Sequence, residues 1–564
     1  MEDKIYSYIL GAIDTLGLPK VDFAIEHPHL DNGDYSTNVA LVLAQKVGDS
    51  PRNVADKIAQ ALLDEDLADI KKIEVAGLGF INFYLKKIFF LNEIEKIVKE
   101  GDDYGKNKTL EGQKYIYEYT DPNPFKQFHI GHLMTNTIGE SLSRLGEWNG
   151  AEVKRACYQG DVGLHVATAI WGMIQHKEIF PHDTDELTDK IKFLGDAYSY
   201  GSKMAKESEE VAEEIKEINK KVFDRSDPEL NIYYDKGKEW SLEGFEEEYK
   251  RLGTRFDFYF FESETGISGL KVVEKGLAEK IFEKSDGAVI FPGEKYGLHT
   301  RVFINSQGLP TYEAKELGLA QKKYDKFPYD QSFVITAKEI DEYFKVLKAA
   351  MKQIYPDLEK KTNHISHGMM KLPSGKMSSR TGDVITAREF IADLEEVIAE
   401  RIDDSKTQEI IAVGAIKYQI LKQAPGKDII YDRERWASFE GDSGPYLQYT
   451  YVRTKSILEK ADKEGIKTEM SSDENKDSFE MNNLGRMLYQ FPEIVLRAEM
   501  ENAPQHVVNY ITEVASAFNS FYAQQQIVDE KDPHSPIKLM MTKATQVVIK
   551  NGLEVLGIKV PERM

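Results

Sequence analysis

Lys114-Tyr-Ile-Tyr-Glu-Tyr-Thr-Asp-Pro-Asn-Pro-Phe-Lys-Gln-Phe-His-Ile-Gly-His132 is the stretch whose reading decides the fold. The tyrosines and isoleucine from Lys114 to Tyr119 predict a strand. Asp121-Pro-Asn-Pro124 predicts a loop, and His129 to Leu145 reads as a long helix that Gly150 ends. A second strand is expected over Ala151 to Tyr158. Strand, helix, strand is the opening unit of a doubly wound α/β domain. A loop that leaves the carboxyl end of a strand and enters a helix presents unpaired N–H groups, which favour anions. His129 and His132 are three apart and share one face of the first turn. They can donate to phosphate oxygens as negative charge builds in a transition state. Gly131 leaves room for a flat ring such as adenine. The bland alternative is that one histidine caps the helix and the other decorates the surface.

A second phosphate-compatible stretch follows, Met369-Met-Lys-Leu-Pro-Ser-Gly-Lys-Met-Ser-Ser-Arg-Thr-Gly382. Pro373 and Gly375 mark a turn. Lys376 and Arg380 straddle Ser378 and Ser379, so a loop here can close over a nucleotide and bring positive charge to it. Met377, Ser378 and Ser379 are expected to complete the cradle. By itself this is an ordinary basic surface loop. No P-loop motif is present, which disfavours γ-phosphate hydrolysis of that type. Two such loops in one α/β domain point to cleavage between the α- and β-phosphates, leaving adenylate on a small carboxylate substrate.

Outward from this core the chain divides into three. Residues 1–110 read as a small α+β unit. Tyr35 to Val47 is a helix candidate, Ser50-Pro51 starts a second helix, and Ile73 to Leu85 holds two strands about a glycine turn. The α/β domain is expected over 111–387, with an amphipathic helical insertion at about 186–222 that carries no assigned chemistry. Its later β-type runs are Arg255–Phe261, Ala288–Phe291 and Arg301–Ile304. Residues 388–564 read as packed helices, with 462–480 as a polar connection.

The bulk properties agree with this multidomain α/β plan. A chain of 564 residues is too long for one core. Its 41% hydrophobic and 30% charged residues suit a globular protein. A formal net charge of -22 argues against a nonspecific DNA binder but is neutral toward a shape-specific RNA binder. With Cys157 as the one cysteine, neither an internal disulfide nor a cysteine-based zinc site is possible. No secretory signal or transmembrane run is read, so the cytoplasm is the expected compartment, with no membrane partner.

His129-Ile-Gly-His132 and Lys376-Met-Ser-Ser-Arg380, in that order, resemble the two signatures of class I aminoacyl-tRNA synthetases, the HIGH and KMSKS motifs. Among these the chain most resembles the arginyl-tRNA synthetases. Asp34-Tyr-Ser-Thr-Asn38 and Gly77-Leu-Gly-Phe-Ile-Asn82 look like landmarks of their N-terminal tRNA-binding domain. Asp121 to Lys126 looks like their substrate loop, and Gly160-Asp-Val-Gly163 like the turn after their second strand. Ser438 to Tyr449 and Leu556 to Met564 look like their helical anticodon-binding domain.

The resemblance implies a Rossmann-like catalytic domain and a two-step reaction. Arginine and ATP give arginyl-adenylate and pyrophosphate, and the terminal ribose of tRNA(Arg) then takes the arginyl group. The family generally needs bound tRNA before activation. Mg2+ is expected with the nucleotide, no fixed metal site is read, and the state is expected to be monomeric. The resemblance places His129, His132, Lys126, Lys376 and Arg380 in the nucleotide chemistry. It places Asp121, Asn123, Tyr312, Glu316 and Glu339 on arginine. Asn38, Phe80, Asn82, Tyr446, Tyr449, Arg453, Lys455 and Met564 are the RNA candidates; the tyrosines serve equally as helix-packing core.

The chain departs from the family at Asp121, where serine is common, and at Lys315-Glu316, in place of arginine-aspartate. Competing readings are a class I synthetase for another amino acid, a non-catalytic tRNA-binding relative, and a nucleotidyl transferase on the same scaffold.

Overall fold

The computed structural model describes residues 1–564 apart from 64–66, 373–374, 377–384, 425 and 469–472; at 372, 375, 376 and 473–475 it describes the backbone alone. The chain forms two compact units. One comprises Met1–Tyr104, Arg453–Phe491 and Glu513–Lys550. The other comprises Gly105–Val452, Pro492–Thr512 and Asn551–Met564.

In the first unit, four antiparallel strands pair in the order Ile25–Glu26, Tyr35–Thr37, Phe80–Leu85, Ile70–Ala76. Helices Glu2–Thr15, Val39–Val47 and Pro51–Leu63 supply the apolar residues of its core, with Ile9, Leu43 and Ile58 fully buried. The helix expected from Tyr35 starts four residues later. Tyr35-Ser-Thr37 alternates buried and half-buried side chains and pairs with Phe83, Asn82 and Ile81 as a strand. The Ser50-Pro51 start is as expected: Ser50 Oγ accepts the Asn53 N–H at 3.2 Å, and proline opens the helix. Tyr489 joins this core and packs edge-on against Phe89.

The second unit holds a five-stranded, all-parallel sheet. Its elements are β1 (Lys114–Glu118), α1 (Ile130–Trp148), β2 (Glu152–Gln159), α2 (Leu164–Gln175), α3 (Leu187–Glu207), α4 (Glu209–Asp224), α5 (Pro228–Leu252), β3 (Phe258–Phe261) and α6 (Glu262–Ala278). Then come α7 (Tyr312–Lys326), β4 (Gln331–Ala337), α8 (Asp341–Ile354) and β5 (Thr362–His367). The strand order is β5-β4-β1-β2-β3, with every neighbouring pair parallel. Chain order therefore reverses between β1 and β4. In such sheets, ligands bind beyond the carboxyl ends of the strands at this switch point.

Two sequence expectations change here. The runs Ala288–Phe291 and Arg301–Ile304 leave the main sheet and, with Glu283–Ser285, form a separate antiparallel one. The insertion is longer than expected: α3, α4 and α5 carry it to Leu252. Between residues 462 and 480, the connection contains a short helix, Asp473–Ser478. No helix among the described residues is long and apolar enough to cross a membrane.

Candidate active site

His129 is the N-cap of α1, and the two histidines cap the helix reciprocally. The His129 N–H donates to His132 Nδ1 at 3.2 Å, and the Gly131 N–H donates to His129 Nδ1 at 3.1 Å. Each Nδ1 is thus an acceptor, so the hydrogen of each neutral ring sits on Nε2. The rings stack with centroids 3.7 Å apart. Burial and the nearby Lys126 charge lower His129 to a pKa of about 4, and burial, His129 and Lys126 hold His132 well below its usual value. Both rings are therefore neutral at physiological pH and carry an Nε2–H donor. Gly131 suits the cap itself: a Cβ there would lie 2.9 Å from His129 Cε1. Capping and phosphate donation are compatible, because they use opposite nitrogens.

The loop between β1 and α1 is strained. Thr120, Asp121 and Phe125 all have positive φ, at 78°, 47° and 68°. Three hydrogen bonds and one cation–π contact, from four elements, hold it there. The Tyr158 N–H on β2 donates to Asp121 Oδ1 at 2.7 Å, and Asn136 Nδ2 on α1 donates to Thr120 Oγ1 at 3.0 Å. The Phe125 N–H donates to Ser241 Oγ on α5 at 2.9 Å. Lys126 Nζ lies over the Tyr198 ring of α3, 5.2 Å from its centroid. The insertion thus braces the loop that bears Lys126. Asn123 packs so closely on Gly160 that a Cβ there would lie 2.2 Å from Asn123 Oδ1. Next in sequence, the fully buried Asp161 accepts from Tyr234, Lys238, and both the N–H and hydroxyl of Ser263. That carboxylate ties β2 to α5 and α6.

Carboxylates gather at the switch point. Glu118, at the end of β1, accepts from Lys323 Nζ of α7 at 2.6 Å, and both are buried. Lys315 and Glu262 form a second closed pair at 2.5 Å. Glu316 is buried, and its Oε1 has no partner. Desolvation and the Glu118 charge raise its pKa to about 8, and desolvation, Glu118 and Glu316 raise Asp121. Tyr312, one turn before Glu316, places its ring 5.0 Å from that of Tyr343, whose buried hydroxyl also lacks a partner. Glu339 lies just after β4, exposed on the short turn Lys338–Ile340. Glu118, Lys323 and Asp161 were not singled out in the sequence. Glu118 and Asp161 carried a signal: each is an acid at or just beyond a strand end, with uncharged residues on either side of it.

Comparison with known proteins is consistent along the whole chain. Residues 93–433 match the family model described as tRNA synthetases class I (R), catalytic domain. Residues 3–85 match the arginyl tRNA synthetase N terminal domain, and 447–564 the DALR anticodon binding domain. The arginine--tRNA ligase of Treponema denticola is 31% identical over 560 residues, covering 95% of this chain and 94% of that protein. That of Borrelia hermsii is 31% identical over 501 residues, covering 85% of each. The chain belongs to the arginyl-tRNA synthetase family of class I enzymes, the arginine--tRNA ligases. In fold, this synthetase is similar to the Thermus thermophilus arginyl-tRNA synthetase, with a TM-score of 0.79 at 22% identity over 100% of both chains. The Plasmodium falciparum structure has a TM-score of 0.77 at 20% identity, covering 100% of this chain and 99% of that one.

In this synthetase the backbone brings the second signature's flanks to the first. Thr386 forms an isolated antiparallel bridge with His129, and the Ala387 N–H donates to the Phe128 carbonyl at 2.9 Å. On the other flank, Met370 shares a buried core with Phe128, Leu133 and Met134. Gly375–Lys376 pairs with Met370–Leu372. Met377, Ser378, Ser379 and Arg380 lie outside the described residues, and so does the side chain of Lys376.

The RNA candidates divide by exposure. Phe80 and Tyr449 are exposed, whereas Asn82 is buried and its Oδ1 accepts from Ser36. Asn38 Oδ1 accepts the Ala24 N–H, Arg453 donates to Asn519 beside the Tyr522 ring, and Tyr446 and Lys455 are half-buried. Met564 packs against the core that contains Phe128. No cluster of three or more His, Cys, Asp or Glu among the described residues is arranged to hold a metal.

Proposed function

We propose that this synthetase activates arginine between the imidazole pair and the carboxylates at the ends of β1 and α7. The substrate carboxylate attacks the α-phosphorus of Mg2+-bound ATP, an O–P bond forms, and pyrophosphate leaves with the bonding pair. The Nε2–H groups of His129 and His132 donate to phosphate oxygens, with Lys126, Lys376 and Arg380 supplying positive charge. Gly131, Met377, Ser378 and Ser379 line the nucleotide. Glu316, Asp121 and Glu339 face the cationic groups of arginine, while Tyr312 packs on its side chain and Asn123 holds its α-substituents. The terminal ribose hydroxyl of tRNA(Arg) then attacks the acyl carbon and releases AMP. Magnesium enters with the nucleotide as part of the substrate.

We place tRNA(Arg) on the N-terminal domain through Asn38, Phe80 and Asn82, and its anticodon on the C-terminal helices through Tyr446, Tyr449, Arg453, Lys455 and Met564. The domains we assign to these roles are 1–110, 111–387 and 388–564, acting in a cytoplasmic monomer whose activation step needs tRNA. One observation carries the reading: neutral, tautomer-fixed imidazoles at a helix N-terminus, in one α/β domain with the buried Glu316, whose Oε1 has no partner.

tRNA-dependent ATP–pyrophosphate exchange with arginine tests it. Lys376→Ala is expected to lower kcat by about 10²–10³ through loss of a transition-state cation. Glu316→Gln is expected to raise the arginine KM by roughly ten- to a hundredfold. Wild-type behaviour in both variants contradicts the site, and no exchange in a folded, tRNA-binding enzyme favours the non-catalytic reading.

A further inference from the structure

The backbone of Lys376 stands on a small sheet of its own. Met370–Leu372 is the middle strand, antiparallel to Gly375–Lys376 and parallel to Ile429–Ile430. Lys371 pairs with Lys376 on one side and with Ile430 on the other. The Ile429 N–H donates to the Met369 carbonyl at 2.9 Å, and the Tyr431 N–H to the Lys371 carbonyl at 2.8 Å. Gly368 lets the two segments close up, since a Cβ there would lie 2.1 Å from the Lys427 carbonyl oxygen. Among the described residues, no strand pairing joins this sheet to the five-stranded one. A carboxylate supplies the tie. Asp428 Oδ1 accepts from Lys338 Nζ at 2.5 Å and from the Met369 N–H at 2.9 Å, and Oδ2 accepts from Lys371 Nζ at 2.5 Å. Lys338 opens the turn Lys338–Ile340 at the carboxyl end of β4, next to Glu339. One side chain thus holds the small sheet to the turn at the switch point.

Resting on the role proposed above for Lys376, we infer that Asp428 is a positioning residue for the activation step: it fixes the strand that carries Lys376 relative to the carboxyl end of β4. It acts through Lys371 on the one side and Lys338 on the other. Magnitudes separate placement from stability. The three side chains are 27–41% exposed, and ion pairs at such exposure contribute little to folding. A shift of about 1 Å in a positioned group, by contrast, costs up to roughly a hundredfold in rate. Charge matters here as well as shape. Asparagine at 428 keeps an acceptor for the Met369 N–H but leaves Lys338 and Lys371 as like charges side by side. Losing the charge is therefore expected to loosen the tie between strand and turn, while β1, α1 and α7 stay in place.

A double-mutant cycle on the full-length enzyme, read by tRNA-dependent ATP–pyrophosphate exchange at saturating arginine, tests this. Asp428→Asn is expected to lower kcat by about tenfold to a hundredfold, with an unchanged circular-dichroism melt. In the Lys376→Ala background the same substitution is expected to cost less than about twofold, because the group it places is gone. Lys338→Gln cuts only the tie to the turn, and carries the same cycle should Asp428→Asn fold poorly. Equal losses in both backgrounds mark a general structural effect; they overturn the positioning role and leave that of Lys376 standing. Wild-type kcat in a folded Asp428→Asn enzyme overturns the positioning role too. Wild-type exchange in Lys376→Ala itself overturns the proposed role of Lys376, and the role of Asp428 with it.

Discussion

The His129 and His132 imidazoles have tautomers set by the backbone N–H groups that donate to their Nδ1 atoms. Their charged forms are disfavoured, so the free enzyme carries no titrating imidazole near pH 6.5 in this pair. The kcat/KM for ATP, measured at saturating arginine and tRNA, is therefore expected to show no acid limb at the ordinary histidine value. A limb near pH 6.5 that His132→Asn removes would contradict it. The same shifts affect stability. A depressed folded-state pKa stabilises above the unfolded value of about 6.5, and that contribution is lost as pH falls through the folded value. Replacing His132 by Ala removes a transition-state donor and one half of the cap. Exchange kcat is expected to fall by about 10²–10³, with arginine affinity little changed.

At the element scale, what positions these residues is a set of buried polar ties around β1, α1 and β2. Arg155 on β2 binds Glu140 and Glu147 of α1 at 2.6–3.1 Å, and Glu140 also accepts from Tyr119 and Arg144. Breaking such a pair by removing one partner is costly, so Arg155→Met is expected to lower unfolding free energy by about 3–5 kcal/mol in denaturant titrations. A change under 1 kcal/mol would show the network to be solvent-accessible.

Much of this scaffold was legible. β1, the loop and α1 follow from aromatic alternation, the Pro-Asn-Pro sequence and helical spacing. β4 (Gln331–Ala337) and β5 (Thr362–His367) are not legible, because periodicity alone does not separate a buried parallel strand from a helix segment. Ala288–Phe291 and Arg301–Ile304 are legible as β, whereas the separate sheet they form is not, since strand pairing is decided by tertiary packing. The imidazoles were legible as a pair, but their protonation and the Glu118–Lys323 partnership depend on burial and on contacts 205 residues apart.

At the scale of the whole molecule, the N-terminal residues do not form a compact unit alone. Met1–Tyr104 shares its unit with Arg453–Phe491 and Glu513–Lys550. Arg486 binds the buried Asp34 at 2.9 Å and the Leu30 carbonyl at 2.9 Å, and Tyr489 stands within the same apolar core. Deleting residues 1–104 is therefore expected to expose that core and yield an aggregation-prone, dye-binding protein, beyond any weakening of tRNA affinity. A truncated chain that stayed soluble and melted cooperatively like the full-length one would contradict this.

In the site proposed above, one substrate spans the imidazole pair and the Glu316 carboxylate. A crystal structure with the non-hydrolysable arginyl-sulfamoyl-adenosine tests it most directly. The sulfamoyl group is expected within hydrogen-bonding distance of Nε2 of His129 or His132, and the guanidinium on Glu316. An analogue seated with its guanidinium away from Glu316, or with its sulfamoyl group out of reach of both imidazoles, would contradict it.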